Sequence, residues 1–334
     1  MKLATLKDGT RDGTLVIVSR DLARSTDAPD VAPTLIAAIE RWDEVEAPLR
    51  ERFEALDSGA VDGVPFDPAA AHAPLPRAPQ WIDGSVFQNH GRLMAQALHP
   101  GRENSYEEYP LVYQGASDDF IGPCDDVVAP DEADGIDFEG EVAVIVDEVP
   151  MRTRAEDAEQ HVKLLLLCND VSLRGFVARE LATGFGFFNA KPSSAFSPVA
   201  VTPDELGDAW REGRFELPLH IQWNGEWFGS PNAREMTFTF HQLLEHVTRS
   251  RRLRAGTIVG SGTVSNEDRA AGSACIAERR AIELIEQGAP QTAFMRFGDT
   301  VRIEMLDAAG ASIFGAIDQR IVALDGVRAV GAAS

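Results

Sequence analysis

The chain has 334 residues, 44% of them hydrophobic and 25% charged, which is enough to bury a large core and leaves no compositional sign of a disordered or fibrous protein. Its formal net charge of -22, from 53 acidic and 31 basic residues, argues against nucleic acid or an anionic membrane surface as partner. Three widely spaced cysteines, Cys124, Cys168 and Cys275, form no CxxC pair, so neither a disulfide framework nor a zinc-thiolate motif is expected. The opening MKLATLKDGTRDG lacks an apolar signal core, and no apolar run approaches the ~20 residues that span a bilayer. A cytoplasmic protein that does not bind membranes is expected.

In chain order, Leu3–Leu6 and Thr14–Ser19 read as short strands joined by Asp-Gly turn chemistry. Leu35, Ile36, Ile39, Val45, Leu49 and Phe53 then recur at helical spacing, with Pro48 expected to split or kink that helix. Residues 58–80, rich in Pro, Ala and Gly, read as a linker or extended connection, so a small N-terminal unit over 1–75 and a larger one over 76–330 are expected. Beyond Trp81 the pattern is mostly strand. Glu141–Val149 alternates, and Thr153 can cap a helix from Arg154 to about Leu165. Asn224-Gly225 marks a hairpin within 217–228, and Phe240–Ser250 suits an amphipathic helix. Thr300–Met305 and Ala311–Leu324 read as late strands. There is no βαβ alternation, GxGxxG or P-loop, so the fold class is α+β and β-rich.

Five segments carry candidate chemistry. Glu139 and Glu141 are two apart at a strand start and so share a face, where two carboxylates beside apolar residues call for a hard divalent cation or for water. Asp170 ends an apolar run in Asn-Asp, at the mouth of a sheet or in a plain turn, with Arg174 four residues on. Lys191 follows Phe187-Phe188-Asn189-Ala190, either as a held cation or as a lysine snorkelling to solvent. Gly256–Ser265 alternates glycine with small and β-branched residues, which signals close backbone approach. Asp83 precedes His90 by seven residues, a spacing that says little alone.

Together these segments resemble the fumarylacetoacetate hydrolase family. The likeness runs over about Trp81 to Leu324, through Glu139-x-Glu141, then Asn169-Asp170-Val171-Ser172-Leu173-Arg174, then Lys191, then Ser261-Gly262-Thr263-Val264-Ser265. The resemblance implies a mixed β-roll catalytic domain behind a small N-terminal β-containing domain, and a homodimer. It implies a divalent cation, Mg2+ foremost with Mn2+ or Ca2+ as alternatives, on Asp83, Glu139, Glu141 and Asp170. His90 would be the general base on water and Glu278 its orienting carboxylate. Arg174 and Lys191 would stabilise the departing carbanion, and Tyr113 and Thr263 would contact substrate. The implied reaction is hydrolysis of a carbon-carbon bond in a small anionic β-diketo or 2-oxo acid, such as fumarylacetoacetate or an acylpyruvate, in tyrosine or other aromatic-compound catabolism. Decarboxylation, hydration or tautomerisation of a 2-oxo acid on the same metal platform is the alternative.

Overall fold

The computed structural model describes residues 1–98 and 108–324; the last part of the expected second unit, 325–330, lies outside the described residues. The chain opens with β1 (Lys2–Leu6), β2 (Thr14–Val18) and β3 (Arg24–Asp27), then helices α1 (Leu35–Ile39) and α2 (Trp42–Asp57), then the short β4 (Val64–Pro65). Pro48 lies inside α2 without breaking it. The interruption expected there falls instead at Glu40-Arg41, between the two helices. Residues 58–80 are not a loose linker. They carry β4 and a short 3-10 turn, and bury Phe66, Ala71, Ala73 and Leu75.

The larger part begins with β5 (Trp81–Ser85), α3 (Gln88–Leu98), β6 (Leu111–Gly115), β7 (Val127–Ala129) and β8 (Ile136–Asp137). It continues with β9 (Gly140–Val146), β10 (Val162–Asn169), β11 (Ser172–Leu173), α4 (Arg174–Thr183), β12 (Ala195–Phe196) and β13 (Ala200–Val201). The helix expected after Thr153 is absent. Two 3-10 turns occupy 155–161, and β10 starts at Val162, because Val162, Leu164 and Leu166 are drawn into the sheet beside β9. A small hairpin, β14 (Trp210–Arg211) and β15 (Arg214–Phe215), precedes the Asn224-Gly225 hairpin of β16 (Leu219–Trp223) and β17 (Glu226–Gly229). Asn224 and Gly225 both have positive φ, as a tight two-residue turn requires. Helix α5 (Phe240–Val247) has a Thr239–Gln242 capping box, and β18 (Ile258–Gly260), α6 (Ile276–Gln287), β19 (Thr300–Met305) and β20 (Ile317–Ala323) follow.

An eleven-stranded mixed sheet runs β4-β3-β2-β1-β13-β10-β9-β18-β5-β6, with β12 joining β10. Strand β1 pairs with β13 through Lys2–Val201 and Leu3–Ala200, so both parts of the chain share this sheet. A five-stranded sheet runs β17-β16-β19-β20-β7. Period-2 alternation assigns the faces. Ala143, Ile145, Leu164 and Leu166 pack in the layer that holds Leu35, Leu49 and Phe53 of α1 and α2. Val142, Val144, Leu165 and Leu167 pack in the layer that holds Ile221, Ile303 and Ile317 of the second sheet. With both faces covered, β9 is buried along its whole length, and any charged group on it must find a partner inside the protein. The result is a β-rich α+β fold.

Candidate active site

Register brings the acidic residues together. Asp83 on β5 stands opposite Tyr113 on β6 and Gly260 on β18; Gly260 stands opposite Ala143 on β9, two residues from Glu141. Residues paired across strands share a face, so Asp83 and Glu141 point the same way. Gly260 lies between their strands. A Cβ there would come within 2.5 Å of an Asp83 carboxylate oxygen and 2.3 Å of the Trp81 ring, which is why the position needs glycine. Asp170 enters from the end of β10, where its N–H donates to Glu139 O at 3.0 Å and Asn169 Oδ1 accepts from Glu139 N at 3.1 Å. Oxygens of Asp83, Glu141 and Asp170 lie within 4.8 Å of one another, and all three residues are buried.

Glu141 is fully buried, and neither of its carboxylate oxygens has a hydrogen-bond partner. Burial, then the charges of Asp83 and Asp170, push its pKa well up. Asp83 is raised to about 8, by burial first and by Asp170 second, although Gly262 N–H donates to it at 3.0 Å. Three buried carboxylates with too few donors are costly unless protons or a cation neutralise them. All-oxygen donors at this spacing fit a hard divalent cation.

The other end of the cluster is saturated with positive charge. Glu139 receives Lys191 Nζ at 2.6 Å on one oxygen and Arg174 Nη2 at 2.6 Å on the other. Burial raises its pKa, but Lys191, Arg174 and His90 outweigh that and hold it at about 2. Lys191 Nζ also donates to Asp170 at 2.6 Å, and it lies over the Tyr113 and Phe187 rings. Lys191 is thus a buried, held cation and not a snorkelling one. Tyr113 OH and Ser194 Oγ, the latter at 2.7 Å, complete the hydrogen bonds to Asp170.

His90, on α3, places Nδ1 2.8 Å from Glu278 Oε2. A carboxylate accepts only, so Nδ1 donates in this bond and Nε2 is the nitrogen left to exchange a proton. Glu278 is buried as the third residue of α6. His90, Glu139 and Cys275 also offer ligand atoms within 4.8 Å of one another, so the dyad borders the carboxylate cluster. Thr263 is buried, in a segment anchored by Val264 N–H to Gly140 O at 3.0 Å.

Of the four expected metal ligands, then, Asp83, Glu141 and Asp170 converge, and Glu139 is held by Lys191 and Arg174. The sequence reading missed Asp137 and Ser194. The signal for Asp137 was present: α6 has no Ser, Thr, Asp or Asn at its N-cap, so its first N–H groups need an acceptor from elsewhere in the chain. A separate cleft of about 820 Å3, lined by Trp42, Arg77, Glu148 and Arg254, touches none of these residues. Among the described residues no helix is long and apolar enough to cross a membrane.

Buried carboxylates short of donors, a held lysine and a His–Glu dyad close together define the site of an enzyme. Residues 80–322 match the family described as fumarylacetoacetate (FAA) hydrolase C-terminal, and residues 1–77 match fumarylacetoacetase N-terminal domain 2. The chain belongs to the fumarylacetoacetate hydrolase family. It is 28% identical over 200 residues to oxaloacetate tautomerase YisK of Bacillus subtilis (strain 168), covering 58% of this chain and 62% of that one. It is 31% identical over 157 residues to 2,4-didehydro-3-deoxy-L-rhamnonate hydrolase of Sphingomonas sp. (strain SKA58), covering 46% of this chain and 52% of that one. The match thus spans less than two thirds of either curated relative. Maleylpyruvate hydrolase from Sphingobium sp. SYK-6, solved with manganese (II) and pyruvate, has the same fold at TM-score 0.64 and 18% identity, over 97% of this chain and 99% of that one.

Proposed function

We propose that this protein is a divalent-metal-dependent hydrolase that cleaves a carbon-carbon bond in a small anionic β-diketo or 2-oxo acid. The observation that carries the reading is the His90–Glu278 dyad at 2.8 Å beside the Asp83–Glu141–Asp170 cluster. Asp83, Glu141 and Asp170 would hold the cation, with Glu139 completing the set on release from Lys191 or Arg174. Mg2+ is the first choice, and the manganese in the maleylpyruvate hydrolase structure makes Mn2+ a close second. A bound divalent cation supplies Lewis acidity toward the adjacent oxygens of a 2-oxo acid.

His90 Nε2 takes a proton from water, and Glu278 keeps the ring in the tautomer that can accept it. The hydroxide so formed attacks the carbonyl carbon, the carbon-carbon bond breaks with its electron pair on the departing carbon, and the proton taken up by His90 returns to that carbon. Lys191 and Arg174 lend positive charge to the departing carbanion and to the substrate carboxylate. Tyr113 and Thr263 contact substrate. The exposed apolar side chains of Leu111 and Val112 on β6, the last strand of the large sheet among the described residues, support a homodimer. A cytoplasmic setting is part of the same reading.

Several relatives favour a second reading. The match to an oxaloacetate tautomerase makes proton transfer on a 2-oxo acid, without bond cleavage, the alternative on this platform, with decarboxylation and hydration behind it. The deciding assay follows fumarylacetoacetate, a panel of acylpyruvates and oxaloacetate with Mg2+ or Mn2+, and again with EDTA. Metal-dependent release of two acids is expected. Enol–keto interconversion of oxaloacetate with no cleavage of any acylpyruvate would overturn hydrolysis in favour of tautomerisation.

A further inference from the structure

Asp137 takes no part in the proposed reaction, yet its side chain is completely enclosed and spans two parts of the site. One oxygen accepts from Ile276 N–H at 2.8 Å; the other accepts from Ala277 N–H at 2.9 Å and from Arg174 Nε at 2.8 Å. Ile276 and Ala277 are the first two residues of α6, whose N–H groups have no partner within the helix. The preceding residue, Cys275, offers only its sulfur, 3.3 Å from Glu278 N. A thiol is a weak acceptor. Asp137 therefore supplies the cap from β8, and its charge is favoured by the positive end of the helix.

The next residue of that helix is Glu278, which holds His90. Arg174, the other partner of Asp137, faces Glu139. We propose that Asp137 is a positioning residue: it joins Glu278 and Arg174 into one rigid unit and so fixes the general-base dyad relative to the cationic side of the site. The inference rests on the hydrolase reading for its effect on rate, and on geometry alone for the cap. The hydrogen bonds of Asp137 go to Ile276, Ala277 and Arg174, not to the carboxylate cluster or His90, so its loss should slow turnover without weakening metal binding.

The test is Asp137→Asn, nearly the same shape but neutral and with a single acceptor oxygen, so that at least one of the three N–H groups Asp137 now serves faces an amide NH2. Loss of an outer partner of this kind costs about 10- to 100-fold in activity. That loss is expected in kcat, with KM and the Mn2+ titration unchanged. Combined with Glu278→Gln, the loss should be less than the product of the two single losses, because both act through His90. Amide hydrogen exchange at Ile276, Ala277 and Glu278 should quicken in Asp137→Asn. Unchanged exchange at those amides, or fully multiplicative losses in the double variant, would overturn the proposal. So would a drop in Mn2+ affinity as large as the drop in kcat. A wild-type enzyme inactive on every acid tried would remove the reaction reading, and the exchange comparison would still decide the cap. If the Asn variant does not fold, Asp137→Ser keeps one acceptor in less volume and carries the same readouts.

Discussion

The two ends of the buried acidic cluster answer the same physical problem in opposite ways. Glu139 lies just before β9 and Glu141 within it, and both are buried. Glu139 is matched by Lys191 and Arg174 within 2.6 Å and is held strongly acidic, at about 2. Glu141 has no donor at all, and with Asp83 it is pushed the other way. A fold that wanted only stability would pair both. The unpaired end has a cost, which the proposed divalent cation would offset, and the paired end gathers the cations that the proposed chemistry uses.

The comparison can be broken in several ways. The largest effect is expected from His90→Ala, which should lower hydrolysis by about 10²- to 10⁴-fold, the usual worth of a general base, with an unchanged Mg2+ or Mn2+ titration. Turnover within tenfold of wild type would remove His90 from the mechanism. Next is Lys191→Met, which strips a cation from two buried carboxylates. Turnover should fall roughly 10²- to 10³-fold. Urea unfolding in EDTA should show a stability loss of about 3–5 kcal/mol, and unaltered unfolding would mean that Glu139 and Asp170 do not depend on it.

The two glutamates give the sharpest contrast. In EDTA at neutral pH, Glu139→Gln should destabilise by several kcal/mol, since it breaks buried ion pairs. Glu141→Gln should instead leave the metal-free protein as stable or more so, while metal affinity falls by about 100-fold or more. Equal destabilisation by both would erase the distinction. The pH dependence follows from the same split. Asp83 has a folded pKa near 8 against an ordinary value of 3.8, so the folded state holds its proton longer. Its contribution is fully present below the ordinary value and is lost as pH rises through about 8. Metal-free protein should therefore be less stable at pH 9 than at pH 6, and saturating Mn2+ should reverse that slope. Glu139 works the other way, with stability present above the ordinary carboxylate range and lost as pH falls toward 2.

The smallest effect concerns Glu180, whose carboxylate accepts from Phe188 and Asn189 N–H at 2.8 Å and from Ala190 N–H at 3.2 Å, just before Lys191. Glu180→Gln should loosen that loop and lower kcat only a few-fold, with a matching rise in amide exchange at 188–190. A loss as deep as that of Lys191→Met would place Glu180 in the chemistry itself.

Much of the site was legible in the sequence because local rules carry it. Glu141 stands on a strand, Asp170 follows directly on a buried strand, and Asn224-Gly225 dictates its own hairpin. The order and spacing of the motifs pointed to the family that the chain belongs to. The failures were tertiary. Residues 154–165 became turn and strand because β9 offered a pairing partner for Val162–Leu167, and sheet pairing outweighed a plausible helix cap. Residues 58–80 look like a linker by composition, yet Phe66 and Leu75 find buried places that composition does not reveal.

The sequence by itself determined which residue types stand where: four carboxylates, one histidine, two cations and the glycines that let strands approach. Only the tertiary structure decided how those charges are shared. Lys191 and Arg174 close on Glu139 and leave Glu141 bare, and Asp137 reaches across to cap α6. Pairing between charges far apart in the chain depends on register, burial and loop geometry, and each is fixed only when the sheets and helices have packed.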